Sequence, residues 1–148
     1  MLITPKVIRK PWGSETWLGD GQRTPYAFKL IEFKSGTRSS LQVHRFKHET
    51  NHLLVGSGRV LMGRSQFPVE KYLAGMMEQA TLEWYIEDLE EIHLQAGDTF
   101  DVCPGTIHRV VADTDMRFVE TSTPHLDDVI RLQDDTKRGH GKIDAEHA

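Results

Sequence analysis

The stretch Gly97-Asp98-Thr99-Phe100-Asp101-Val102-Cys103-Pro104-Gly105-Thr106-Ile107-His108 contains a short segment of β-type residues, a Pro-Gly turn and the start of a second such segment. Segments of similar composition recur between turn residues, at Tyr26 to Lys34, Asn51 to Val55, Arg59 to Met62, Leu82 to Ile86, Ile92 to Gln95, Thr99 to Val102, His108 to Ala112 and Arg117 to Thr121. Short strands at regular spacing are typical of antiparallel hairpins in a barrel or sandwich. The sequence therefore predicts an all-β fold, in which four apolar side chains are expected to pack inside: Leu53, Val55, Phe100 and Val110.

Two segments of the chain are predicted to be helical. Within Gln66 to Thr81, apolar residues recur at spacings of three and four, at Val69, Tyr72 or Leu73, Met76 and Ala80. Pro68 suits the first turn of this short helical insertion. A second helix is predicted over Leu126 to Leu132, and the polar tail after Asp134 is expected to fray.

Composition and charge restrict the classes of protein to which the chain could belong. A chain of 148 residues, with 38% hydrophobic and 27% charged residues, suits one domain, predicted to span residues 1–148. The net charge of −4 comes with no dense basic surface, so nucleic acid is not an expected partner. No apolar run reaches the roughly 20 residues that span a bilayer, and no signal sequence is visible, so we expect no membrane partner and a cytoplasmic protein.

Four side chains have the chemistry and spacing of a metal site. Gln42 and His44 are two residues apart, so both face the same side of a strand. Glu49 follows after a short turn, and His108 begins a strand far downstream. Two imidazoles, a carboxylate and an amide oxygen suit one divalent ion, with Zn²⁺, Mn²⁺, Fe²⁺, Co²⁺ and Ni²⁺ all compatible.

The remaining candidates for metal chemistry are expected to be structural. Six histidines match no ligand position and are expected to be surface or hydrogen-bonded residues: His48, His52, His93, His125, His140 and His147. The single cysteine, Cys103, cannot form an internal disulfide. We expect it to be a small buried side chain without chemistry.

These residues also lie in segments that resemble the two cupin motifs. The run Gly36-Thr37-Arg38-Ser39-Ser40-Leu41-Gln42-Val43-His44, followed by Glu49 and Gly56, resembles the first motif, and residues 97–108 resemble the second. Gln42 replaces the usual first histidine, which resembles the Gln-x-His pattern of type II mannose-6-phosphate isomerases. Further matches to that branch are Lys10-Pro11-Trp12-Gly13, Ser40-Leu41-Gln42, His108-Arg109 and the segment 123–132.

The resemblance covers residues 8–136 and implies both a fold and a function. The implied fold is the cupin double-stranded β-helix, a jelly-roll-like barrel, holding one divalent metal through Gln42, His44, Glu49 and His108. Zinc is the first candidate, and Mn, Fe, Co and Ni are the alternatives. The implied reaction is the interconversion of mannose 6-phosphate and fructose 6-phosphate. A nucleotidyltransferase domain, which commonly accompanies this barrel, lies outside the resemblance, so guanylyltransferase activity is not predicted.

Five further residues are candidates for catalysis and substrate binding. Lys29 alternates with apolar residues on its strand, so it is expected to enter the pocket. Lys29 and Glu120 are the candidates for the base that moves a proton between C1 and C2. Arg38, Arg109 and Arg131 match positions of the family pattern and are predicted to bind the substrate phosphate.

Two other functional classes remain open from the sequence. One is a metal-binding cupin of different chemistry, such as an epimerase, a lyase or a dioxygenase, and the other is a non-catalytic sugar-binding module. The expected partner is a small phosphosugar. A homodimer is also expected, because small cupins commonly pair through N-terminal strands and this chain begins with apolar Met1, Leu2, Ile3, Val7 and Ile8.

Overall fold

Two antiparallel sheets form the body of the molecule in a computed structural model that describes all 148 residues. The strands are β1 (Lys6–Lys10), β2 (Gly13–Asp20), β3 (Ala27–Phe33), β4 (Leu41–Val43), β5 (Glu49–Val55), β6 (Ser57–Gly63), β7 (Leu89–Gln95), β8 (Thr99–Val102), β9 (His108–Ala112), β10 (Met116–Ser122) and β11 (Ile130–Gln133). The six-stranded sheet has the order β1-β2-β3-β10-β5-β8, and the five-stranded sheet has the order β11-β4-β9-β6-β7. The prediction of an all-β architecture is confirmed.

The main core lies between the two sheets. Along β3, buried and partly buried residues alternate strictly, so Ala27, Lys29, Ile31 and Phe33 all face inward. Residues from both sheets form one hydrophobic cluster, in which the ring of Trp12 stacks on that of Phe33 with centroids 4.0 Å apart. The inward position of Lys29 therefore places an amine among the apolar residues of the core.

Three of the four predicted core residues lie inside, but Val55 does not. Leu53 and Val110 are buried and Phe100 is partly buried against the same cluster. Val55 is 53% exposed, so the prediction for this residue was wrong. The register of β5 against β10 shifts after Leu53, and this irregularity turns the end of β5 outward.

The segment between β6 and β7 contains two short helices, α1 (Val69–Leu73) and α2 (Gln79–Glu87). The predicted insertion is therefore helical at its start, but it breaks near Gly75, whose φ of 70° ends the first helix. The predicted strand Leu82 to Ile86 was wrong, because it lies within α2. Apolar residues there are three and four positions apart and pack, with α1, on a second hydrophobic cluster around Phe67.

The C-terminal region also differs from its prediction. Residues 130–133 form β11, which pairs with β4, instead of the predicted helix. After Asp134 the chain does not fray: it ends in a 3₁₀ turn, Asp144–His147, that packs against β1. Arg138 pairs with Asp134 at 2.8 Å, and Lys10 pairs with Glu146 at 2.8 Å. These contacts hold the tail against the barrel.

Two smaller observations complete the fold. Neither helix is long or apolar enough to cross a membrane. The strand β1 is an edge of the six-stranded sheet, where Val7 is exposed while Ile8 is buried. Pairing of two copies through this edge remains a prediction.

Candidate metal centre and cavity

The four predicted metal ligands come from three strands that meet inside the barrel. Gln42 lies on β4 and is paired with His108, the first residue of β9. His44 follows β4 directly, and Glu49 is the first residue of β5. Two-residue alternation directs Gln42 and His44 to the same side of their strand. The structure thus brings together all four residues.

The donor atoms of these residues are close to one another. His44 Nε2 lies 3.4 Å from Glu49 Oε2, and His108 Nε2 lies 3.7 Å from Glu49 Oε1. The Gln42 amide is 3.3 Å from His108 Nε2, and its oxygen accepts a hydrogen bond from Ser40. Turning this amide over would present its oxygen to the cluster while Ser40 accepts from the nitrogen. The arrangement can therefore offer two nitrogen and two oxygen donors.

Backbone carbonyls orient both imidazoles for metal binding. The Nδ1 atom of His44 lies 2.5 Å from the Asp128 carbonyl, and that of His108 lies 3.0 Å from the Thr106 carbonyl. A proton on each Nδ1 leaves Nε2 free as a donor toward the cluster. His44 Nε2 is buried and has no hydrogen-bond partner, and it lies 3.4 Å from the Glu49 carboxylate. A divalent cation between them would satisfy this nitrogen, so the residues fit a metal site.

Electrostatics keep the donors in their metal-binding forms. Burial, and then the neighbouring His44, lowers the pKa of His108 to about 4, so this imidazole is neutral at neutral pH. Burial alone would raise the pKa of Glu49, but Lys47 and the two imidazoles hold it well below its usual range. A neutral imidazole beside a carboxylate is the combination that first-row divalent metals bind.

A buried network of charges connects the metal donors to the predicted base. Lys47 Nζ lies 2.7 Å from Glu49 Oε2 and 3.3 Å from Glu120 Oε2. Lys29 Nζ lies 3.9 Å from Glu120 and 3.5 Å from Glu15. Burial, and then Glu49, raises the pKa of Glu120, whereas Glu120 and Glu49 raise that of Lys47 despite its burial. Glu120 is therefore the carboxyl group of the site best suited to exchange protons.

These residues line a cavity of about 870 Å³, a volume that includes its open mouth. The metal donors, Lys29, Lys47 and Glu120 form part of its wall. The C-terminal tail supplies another part, through Arg138, Lys142 and His147. A pocket with convergent polar groups and perturbed carboxyl groups is a candidate active site.

No protein-family model and no curated protein matches the sequence. Solved structures do match the fold. The capsular polysaccharide assembling protein CapF of Staphylococcus aureus superposes with a TM-score of 0.62 at 17% identity, over 90% of this chain and 33% of that one. Ectoine synthase of P. lautus gives a TM-score of 0.61 at 13% identity, over 84% and 78% of the two chains.

Oxalate decarboxylase of Bacillus subtilis, which has Mn(II) centres, matches with a TM-score of 0.63 at 18% identity, over 86% of this chain and 30% of that one. All three neighbours are cupin-fold proteins. This chain has the cupin fold. It spans about a third of the length of the CapF and oxalate decarboxylase chains, so the likeness concerns only part of each of those two chains.

The three arginines predicted to bind substrate lie in different places relative to the cavity. Arg131 lines the cavity, although Nη1 donates to the Gly141 carbonyl of the tail at 3.0 Å. Arg38 does not line it: its guanidinium forms a two-bond pair with Asp135 at the surface. Arg109 does not line it either, because it follows the inward-facing His108 and donates instead to the Ser39 carbonyl at 2.8 Å. Only Arg131 of the three can reach a ligand in the cavity.

Sequence reasoning missed several residues that line the cavity. Lys47 is two residues before Glu49, and the same alternation that related Gln42 to His44 would have placed it inward. Glu15 and Trp17 share a face of β2, whose polar, glycine-containing composition concealed the strand. His147 lies in the tail, where no local pattern indicates a cavity wall. Cys103, expected to be buried, is exposed, so that prediction was wrong.

Proposed function

We propose that this cupin is a metal-dependent isomerase that interconverts an aldose phosphate and its ketose phosphate, with mannose 6-phosphate and fructose 6-phosphate as the first pair. The observation that carries the proposal is the ammonium group of Lys47, which bridges the metal donor Glu49 and the carboxyl group of Glu120. An isomerase of this class needs an electrophile and a proton-transfer group side by side. Their candidates here, a metal held at Glu49 and the carboxyl group of Glu120, would share one buried network.

The metal would be held by His44, Glu49, His108 and the amide oxygen of Gln42. When bound, a divalent cation supplies Lewis acidity toward a substrate carbonyl or hydroxyl oxygen. Zinc is the first candidate for this donor set, and manganese, iron, cobalt and nickel are alternatives.

Proton transfer is assigned to Glu120. Its carboxylate would take the proton from C2 of the aldose and return it to C1, which gives the ketose through an enediol. Its surroundings raise the pKa of Glu120 toward neutral pH, and a general base works best when its pKa is close to the pH of the reaction. Lys29, 3.9 Å from Glu120, would move the hydroxyl proton between the two substrate oxygens.

The negatively charged phosphate of the substrate would bind where cationic side chains line the cavity. Lys10, Arg131, Arg138 and Lys142 all line the cavity. The Nε–H of Arg131 is buried without a protein partner, which leaves a donor for an anionic oxygen. A neutral sugar would leave this Arg131 donor without an anionic oxygen, so the proposal specifies a phosphosugar.

The test is product formation by metal-loaded full-length protein. Metal-free protein is reconstituted separately with Zn²⁺, Mn²⁺, Fe²⁺, Co²⁺ and Ni²⁺, and fructose 6-phosphate formed from mannose 6-phosphate is measured. We expect His44→Ala and chelation of the wild type to abolish activity alike, because each removes the electrophile. If no metal form yields the ketose phosphate, the isomerase proposal is wrong, and epimerase, lyase or dioxygenase chemistry or sugar binding without turnover takes its place.

A second variant separates the base from the metal site. Glu120→Gln should lower kcat by about 10²–10⁴-fold, the usual value of general base catalysis, while the metal content stays at the wild-type level. Glu32→Gln is the matched control, because Glu32 pairs with Arg117 on the exposed face of the same sheet. An active, metal-loaded Glu120→Gln protein would exclude Glu120 as the base.

A further inference from the structure

Three metal-ligating side chains converge outside the cavity, on the outer face of the six-stranded sheet. His48 Nε2 lies 2.6 Å from Asp101 Oδ2 and 3.8 Å from Cys103 Sγ, and the thiol lies 3.7 Å from the same carboxylate oxygen. All three side chains are exposed. We call them the surface triad.

The strand register explains why the surface triad forms. In the ladder between β5 and β8, Thr50 is paired with Asp101 and Glu49 with Val102. Continuing this register by one residue sets His48 opposite Cys103. Because side chains alternate between faces, the inward direction of Glu49 requires His48 to point outward, on the same face as Asp101. The surface triad thus lies back to back with the barrel donors.

Neighbouring hydroxyl groups orient the surface triad. Thr50 Oγ1 donates to Asp101 Oδ1 at 2.7 Å, which leaves Oδ2 directed at His48 and Cys103. The backbone of His48 is fixed by Thr123, whose hydroxyl accepts its N–H at 3.1 Å and whose N–H donates to its carbonyl at 3.1 Å. A metal-binding carboxylate commonly has such an outer partner.

The geometry of the surface triad is that of a metal site and not that of a nucleophilic cysteine activated by a histidine. In a Cys-His-Asp relay, the thiol and the carboxylate contact different nitrogens of the imidazole. Here both contact Nε2 of His48. Three donor atoms around one point are instead the arrangement of a cation site with three protein ligands.

We propose that His48, Asp101 and Cys103 form a second metal site that binds Zn²⁺ or a cation of similar softness. A thiolate and an imidazole select such ions over Mg²⁺ and Ca²⁺, which prefer oxygen donors. Binding releases the thiol proton to solvent, and the metal takes the place of the contacts among the three side chains. Because the triad is exposed, a fourth position stays open to water.

Two properties allow this site to be measured separately from the barrel site. Cys103 is the only cysteine of the chain, so alkylation of thiols reports on the triad alone. The barrel donors contain no sulfur, so a thiolate-to-cobalt charge-transfer band in the near ultraviolet can arise only from a metal bound to Cys103. Neither measurement depends on catalytic activity.

The experiment titrates metal-free full-length protein with Co²⁺ and, separately, with Zn²⁺. We expect the charge-transfer band to appear with Co²⁺, and Zn²⁺ to slow the alkylation of Cys103 by at least tenfold. Both signals should persist in His44→Ala, which lacks a barrel donor. His48→Ala and Asp101→Asn should each weaken the apparent Co²⁺ affinity by more than about tenfold, since even outer partners of metal ligands are worth 10–100-fold.

A matched pair of threonine variants tests the orienting hydrogen bond. Thr50→Val should weaken Co²⁺ binding at the triad by about tenfold. Thr99→Val should leave it unchanged, because Thr99 makes a similar contact, to His52, on the same two strands but outside the triad. Absence of the band with excess Co²⁺ would overturn the proposal. Equal Co²⁺ affinity in wild type, His48→Ala and Asp101→Asn would overturn it as well, and would leave metal capture by the Cys103 thiol alone.

Discussion

Charged groups on the inner faces of the two sheets are held differently from those on the outer faces. The side chains of Lys47, Glu49 and Glu120 are 6–9% exposed and contact one another. On the outer face, Arg117 and Glu32 form an equally close pair but are 53% and 44% exposed. Exposed pairs contribute little to stability, whereas buried charges are costly to desolvate. The comparison indicates that the buried charges of the inner network depend on one another, whereas the exposed pairs do not.

The largest expected effect is at the centre of the inner network. Lys47→Met should lower the free energy of unfolding of the metal-free protein by about 3–5 kcal/mol, because it leaves two buried carboxyl groups without their shared cation. Urea denaturation at neutral pH measures this change. The double variant Lys47→Met/Glu120→Gln should recover part of the loss. A Lys47→Met protein as stable as the wild type would show that the buried charges do not depend on this lysine.

The next effect concerns pH. The pKa of His108 in the fold is about 4, below the value of about 6.5 in an unfolded chain. Between these values the unfolded chain binds more protons, so the stability present above pH 6.5 is lost as the pH falls toward 4, by about 3 kcal/mol in total for this group. The free energy of unfolding of metal-free wild type and of His108→Gln, measured between pH 6.5 and 4, tests this. If stability falls equally in the two proteins as the pH is lowered, His108 is not the group responsible.

An intermediate effect is expected where the tail meets the barrel. Arg138 is partly buried and binds both Asp134 and Glu146. Arg138→Ala should lower the free energy of local opening of the tail by about 1.5–3 kcal/mol, the usual range for hydrogen bonds to charged groups. Hydrogen exchange of the tail amides measures this, with Arg138→Lys as the conservative variant. Unchanged exchange rates would show that other contacts hold the tail.

The smallest effect on stability is expected at Arg38, which forms one of the exposed ion pairs. Its pair with Asp135 is about half exposed, so Arg38→Ala should change the free energy of unfolding by less than about 1 kcal/mol. Because Arg38 does not line the cavity, the KM for a phosphosugar should also stay the same. A raised KM in Arg38→Ala would indicate that Arg38 does contact the substrate.

Strand alternation made much of the fold and the donor set predictable. Gln42, His44 and the inward direction of Lys29 all follow from a two-residue period. The period failed where other forces decide the structure. Leu82 to Ile86 has strand-like composition but folds as a helix because one face packs on the cluster around Phe67. Val55 leaves the core through an irregularity of register that no local pattern reveals.

The candidate site was predictable where its residues share a strand and less so where they come from distant segments. The charge network around Lys47 requires β2, β3, β5 and β10 to meet, and β2 was hidden by its polar composition. Arg109 shows the converse, because family resemblance suggested a substrate contact whereas alternation with His108 directs it elsewhere. The tail enters the cavity through tertiary contacts alone.

The two faces of β4 give this short strand a double role. Gln42 points into the cavity, while Leu41 and Val43 are buried in the cluster that α1 and α2 cover. The helical insertion therefore packs against the outer side of the strand that carries Gln42 and leads into His44. A change of side-chain volume at Phe67, on that outer side, would be transmitted through the closely packed strand as a displacement of the donors. The dimensions of the metal centre are thus set partly by residues that never face it.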